Sequence, residues 1–154
     1  MKYLAIDKEP HFLAFALFED KALVEHGYMT FNAKNENDRI KEIWSKIEHL
    51  IKEKKPLFVL TQMIDLNDIR KKELEKIVTV PTILRKLSID CNAIYSEFRT
   101  FGWEQRITDM DKPSPKRKLK IAREYDSNIE LVKIANAIIL GESVVHGRLQ
   151  IGRD

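Results

Sequence analysis

The chain has one cysteine in 154 residues, so no internal disulfide can form, and a lone thiol fits a reducing compartment. No apolar run approaches the roughly 18 residues needed to cross a bilayer. Met1 to Ile6 is too short for the apolar region of a signal peptide, and Asp7 interrupts it. Together these absences predict a cytoplasmic protein without a membrane segment. Glycine is scarce, at five residues. Neither GxxxxGK[ST] nor GxGxxG occurs, which argues against a nucleotide cofactor or nucleotide hydrolysis. The GxSxG elbow of serine hydrolases is missing too. The four histidines, His11, His26, His49 and His146, show no HxxxH or HExxH spacing, which argues against zinc. Cys91, with no evident catalytic partner in sequence, reads as a buried core residue.

What is present is ordinary globular material, 44% hydrophobic and 33% charged. The length suits a single domain over 1–154. A formal net charge of +3 is too small to identify a partner, but its distribution is uneven. Between Lys112 and Arg123 stand Lys112, Lys116, Arg117, Lys118, Lys120 and Arg123, with no acidic residue after Lys112. Such a run can hold phosphates through ion pairing and counterion release, or can simply be a solvated helix face.

Residues 2–7 read as a strand apolar on both faces, as a central strand requires. Residues 12–18 form a second apolar run, Glu19-Asp20-Lys21 a hairpin turn, and 22–31 a third strand. Ile40, Ile43, Trp44, Ile47 and Ile51 recur at helical spacing and predict an amphipathic helix over about 37–54, stopped by Pro56. Residues 57–61 make a short buried strand. The segment 66–87 reads as helical, kinked or split at Pro81, and 92–98 as a fifth strand. An aromatic loop with Phe101, Gly102 and Trp103 follows. Beyond Pro113 and Pro115, two helices are expected over 114–125 and 128–146, the second packed on the sheet. Short turns make the first three strands antiparallel; helical crossovers make the later two parallel to the first. The fold class is α/β, a mixed five-stranded sheet flanked by helices.

The opening stretch MKYLAIDKEP ends its apolar run on one carboxylate, Asp7. A strand-end Asp can cap a turn or belong to a metal or nucleotide site. The order of elements, with Asp closing the first strand, is similar to the ribonuclease H-like superfamily, and within it to the RuvC-type Holliday junction resolvases. KYLAID stands at the family's first strand and first catalytic Asp. FLAFALFEDKALVEHGYMTF matches its hairpin, DRIKEIWSKIEHLIKEKKP its first helix, LFVLTQMI its fourth strand, and KIANAIILG its last helix.

The resemblance implies a dimeric nuclease for four-way DNA junctions, with four acidic or metal-binding side chains holding two Mg²⁺ ions that activate water for attack on phosphate. Asp7 keeps the first of those positions. The second falls on Thr61, and the pair on the last helix falls on Lys133 and Asn136. Thr61 and Asn136 offer neutral oxygens only, and Lys133 puts a positive charge where metal should sit, with an ion pair to Asp7 as one outcome. Asp65, Glu130 and Glu142 are the carboxylates that could substitute. IDKEP also departs from the family's usual Gly soon after the first Asp. The family inserts an apolar residue after its fourth strand into the junction centre, and Ile64 falls there. Trp103 and its aromatic neighbours can stack on bases or pack in the core. The basic segment matches a region contributing phosphate-contacting lysines, here Lys116, Arg117, Lys118 and Lys120.

Three functions are therefore compatible with the sequence. The chain is a homodimeric binder of branched DNA with a degenerate nuclease site. Otherwise it is a divergent Mg²⁺- or Mn²⁺-dependent junction endonuclease, with Asp7 in the metal site, or a non-catalytic protein-interaction domain.

Overall fold

The computed structural model describes residues 1–63, 74–99, 114–147, 149 and 151. Strands β1 (Lys2–Glu9), β2 (Phe12–Glu19) and β3 (Ala22–Thr30) form an antiparallel meander. Helix α1 (Glu36–Lys54) crosses to β4 (Phe58–Gln62), and α2 (Leu74–Asp90) to β5 (Ile94–Phe98). Helices α3 (Pro115–Arg123) and α4 (Val132–Val145) complete the described elements. The sheet order is β3-β2-β1-β4-β5, with β4 parallel to β1 and β5 parallel to β4. The expected α/β architecture, strand senses and element order are all present.

β1 is central and covered on both faces, which explains its unbroken apolar run. Leu4, Ile6, Leu13, Phe15, Leu17 and Val59 face α1 and α2 in one core. Ala14, Ala16 and Phe18 face α4, where they meet Ala135 and Ile138. Ala5 and Leu60 share that second face with Ile139 and Leu140. The small residues of β1 and β2 let α4 lie close to the sheet. Gly141 is the tightest point, because a Cβ there would stand 2.3 Å from Phe18 Cε2.

α1 shows why its ends fall where they do. Asn35 Oδ1 accepts the Asp38 N–H at 2.8 Å, Glu36 and Asp38 occupy the first turn, and Lys52 and Lys54 the last. Lys55, at φ 49°, closes the helix by donating its N–H to Ile51. Its rotation differs from expectation. Ile43, Ile47, Leu50 and Ile51 are buried, but Ile40 and Trp44 lie on the exposed side. Arg39 is buried in their stead, its guanidinium donating to the Pro10 carbonyl and pairing with Glu36 at 3.5 Å. Four aliphatic side chains fix this helix face, and the Pro10 carbonyl lets Arg39 join it at the N-terminal end.

Pro81 lies inside a continuous α2, which neither splits there nor ends. Cys91 is free and only partly buried against the core, where full burial was expected. His26 Nε2 meets Asp126 at 2.8 Å and ties β3 to the segment after α3. Among the described residues no helix is long and apolar enough to cross a membrane.

Candidate functional site

The C-terminal ends of parallel strands are where open α/β sheets place their ligands. Here β1, β4 and β5 end in Asp7-Lys8-Glu9, Thr61-Gln62 and Glu97-Phe98. Alternation sends these side chains to two faces. Asp7 is level with Ala14 and Glu9 with Phe12, on the α4 side. Lys8 is level with Leu13, and Thr61 with both Ile6 and Glu97, on the α1–α2 side.

On the α4 face, Asn136 Nδ2 donates to Asp7 Oδ2 at 3.1 Å. Lys133, one turn earlier, does not take Asp7 as its partner. It pairs with Glu9, and its ammonium lies 4.6 Å from the centroid of the Phe12 ring. Asn136 and Lys133 thus both reach the end of β1, as their spacing predicts, but divide two carboxylates between them. Asn136 Oδ1 is buried and meets no donor among the described residues. Burial pushes the Asp7 carboxyl above its usual range. The Asn136 bond opposes this, Glu9 adds to it, and Lys133 and Lys8 pull it down.

On the other face lies a cluster that sequence reasoning missed. Lys8 Nζ donates to Thr61 Oγ1 at 2.8 Å and to the Gln62 carbonyl at 2.5 Å. The Thr61 hydroxyl, fully buried, donates in turn to the Ile6 carbonyl at 3.1 Å. Glu97 accepts from Tyr95 Oη at 2.7 Å. Burial lowers Lys8 from 10.5 to about 8, against the attraction of Glu97 and then Asp7. The available signal was IDKEP itself, where a lysine stands beside the carboxylate that closes β1.

Thr61, the position matched to a family carboxylate, therefore lies across the sheet from Asp7. The β4 side chain on Asp7's own face is Gln62, which follows Leu60 in the alternation. Glu130 is exposed before α4 and Glu142 is part-buried on α4. Among the described residues no group of three His, Cys, Asp or Glu side chains could hold a metal. Asp65, Ile64, Phe101, Gly102 and Trp103 lie outside the described residues, as does Lys112.

The donors present fit a divalent ion poorly. Hard cations need several oxygen ligands and anionic charge. The α4 face offers Asp7, the Asn136 amide oxygen and Glu9, and Glu9 is already neutralised by Lys133. The other face presents Lys8 to its oxygens.

α3 carries the basic run. Ser114 caps it, accepting the Arg117 N–H at 3.2 Å, with Pro115 in the first turn. Lys116 and Lys120 are exposed, and Arg117 and Lys118 partly so. Arg123 is exposed as well, and its Nε donates to the Ile129 carbonyl at 2.9 Å. Ile121 and Ala122 are the buried residues of α3; Ala122 joins the cluster of Ile134, Ala135 and Ile138 from α4. The basic helix and the Asp7 carboxylate thus belong to the same covered face of the sheet.

No protein-family model matches the sequence, and no curated relative matches it either. The fold has solved counterparts. The chain is similar to Thermus thermophilus RuvC, with a TM-score of 0.78 at 9% identity, covering 96% of each chain. It is similar to the fowlpox virus resolvase, solved with substrate Holliday junction DNA, with a TM-score of 0.66 at 13% identity over 97% of this chain and 100% of that one. The yeast mitochondrial Holliday junction resolvase matches with a TM-score of 0.65 at 10% identity, over 93% and 77%. At these identities the likeness establishes the fold alone: this chain has a RuvC-like α/β fold.

Proposed function

We propose that the protein binds branched DNA of the Holliday-junction type, as a homodimer, through a resolvase scaffold whose nuclease site is degenerate. The observation that carries this reading is the pairing of a basic α3 with a strand-end site where Asp7 keeps a carboxylate and Asn136 and Lys133 supply nitrogen donors. Phosphate contacts come from Lys116, Arg117, Lys118 and Lys120, whose charge holds DNA without regard to sequence. Ile64 and Trp103 meet the bases at the branch. Dimer formation and DNA binding rest on the resemblance to resolvases, and the cytoplasmic setting on the lone cysteine and the lack of long apolar runs. Mg²⁺ or Mn²⁺ is a cofactor only if cleavage survives, because a two-metal mechanism needs anionic ligands that this site has exchanged.

The test is a gel assay with synthetic four-way junctions and matched duplex, in EDTA, Mg²⁺ or Mn²⁺. Junction-selective binding in EDTA without nicking in either metal is the expected result. Metal-dependent nicking abolished in Asp7→Asn would establish a rebuilt endonuclease instead. Absence of both binding and nicking would point to a protein-interaction domain.

A further inference from the structure

We propose that the Lys8 ammonium is a built-in cation that occupies the oxygen cage at the strand ends and excludes a divalent metal from it. This deepens the degenerate-site reading and rests on it. The cage is made of the Thr61 hydroxyl and the Gln62 carbonyl, with the Glu97 carboxylate level with Thr61 on the same face of the sheet, all hard oxygen donors of the kind Mg²⁺ or Mn²⁺ would take. Lys8 reaches these groups from within β1. Its side chain leaves β1 on the same face as Ile6, and its head ends on Thr61 and the β4 backbone.

The geometry makes the ammonium integral to the cage. Thr61 Oγ1 spends its proton on the Ile6 carbonyl, so it can only accept from Lys8, and both hydroxyl roles are filled. A divalent ion on Thr61 and the Gln62 carbonyl would stand within a few ångströms of this ammonium, a repulsion that partial burial leaves poorly screened. Across the sheet Lys133 treats Glu9 in the same way. Two internal lysines thus take up the cation's electrostatic role on either side of β1. Lys8 donates to Thr61, the residue matched to a family carboxylate. Lys8 and its acceptors satisfy each other, since a part-buried ammonium needs acceptors and a buried acceptor pair is stabilised by a cation.

The test uses the full chain without DNA. Mn²⁺ is titrated into the wild type while backbone NMR signals are followed, and paramagnetic broadening should not concentrate on residues 6–9, 60–62 and 97. Local broadening there overturns the proposal. Thr61→Glu and the double variant Lys8→Ala with Thr61→Glu are then compared by the same titration. With Lys8 in place the new carboxylate should be claimed by the ammonium and stay metal-free. Without it, Mn²⁺ should bind with affinity higher on the order of tenfold or more, the scale expected from removing one nearby like charge. Metal binding by Thr61→Glu alone, or equal affinity in the two variants, overturns the proposal. Circular dichroism verifies that each variant folds, and if one does not, the wild-type titration decides alone. Junction binding in EDTA is measured in parallel: its loss overturns the functional reading and leaves the metal result standing.

Discussion

Asp7 and Lys8 are neighbours with opposite charges on opposite faces of one strand, and burial acts against both. Burial therefore makes the ionised form of Asp7 costly in the folded chain. As pH falls through the raised folded value towards 3.8, the carboxyl takes up a proton and that cost disappears. Asp7→Asn keeps an oxygen for Asn136 and removes the charge. It should raise the midpoint of thermal unfolding by about 2 °C at pH 7, with the gain shrinking on acidification. Lys8 has the mirror-image linkage. Its folded value of about 8 lies below the unfolded 10.5, so the unfolded chain binds more protons between those limits. Wild-type stability should rise with pH across that window relative to Lys8→Met. Denaturant melts of both proteins at pH 7, 8.5 and 10 would show the slope or its absence.

At the scale of elements, α4 is the part whose position the site depends on. It bears Lys133 and Asn136 near its start and touches the sheet most closely at Gly141. Gly141→Ala would bring a methyl group to 2.6 Å from Phe18 Cδ2 and 3.3 Å from Ala5 Cβ. The ring of Phe18 is fully buried and held edge-on by Tyr125, so it has little room to yield. Overpacking of this kind costs about 1–3 kcal/mol. Urea unfolding should register that loss, and the displaced helix should weaken the Asn136–Asp7 hydrogen bond, visible as a shift of the Asn136 side-chain amide signals. An unchanged melt would mean that α4 seats less firmly than its packing implies.

For the molecule as a whole, the proposed binding to DNA would be a matter of charge placement on the scaffold. A net charge of +3 gives little long-range attraction, so the α3 lysines must act locally on the phosphates. Replacing Lys116, Lys118 and Lys120 by Gln should lower affinity for junction and duplex alike. It should also flatten the plot of log affinity against log salt by about 0.9 for each phosphate that the protein no longer neutralises. Junction selectivity should survive, because phosphate contacts position DNA and do not discriminate its form. Fluorescence anisotropy at several salt concentrations measures slope and selectivity together.

The local pattern of the sequence determined the α/β class, the order of the elements, the antiparallel meander and the parallel strands that follow it. Each depends on periodicity, turn residues and crossover length within short windows. Asp7 at the end of β1, and the placement of Lys133 and Asn136 one turn apart on the last helix, were also legible, since both follow from local spacing. What only the tertiary structure decided is which face each side chain meets. The level pairing of Ile6 with Thr61 puts Thr61 across the sheet from Asp7, and a slip of one residue would reverse this. The rotation of α1 that seats Ile43, Ile47, Leu50 and Ile51 in the core also hides Arg39, whose guanidinium donates to the Pro10 carbonyl, and exposes Ile40 and Trp44. The approach of α4 gives Lys133 to Glu9 and leaves Asp7 to Asn136. Register and helix rotation are settled by contacts between segments far apart in the chain, and a lysine beside a carboxylate reveals its role only when the opposing strand supplies its acceptors.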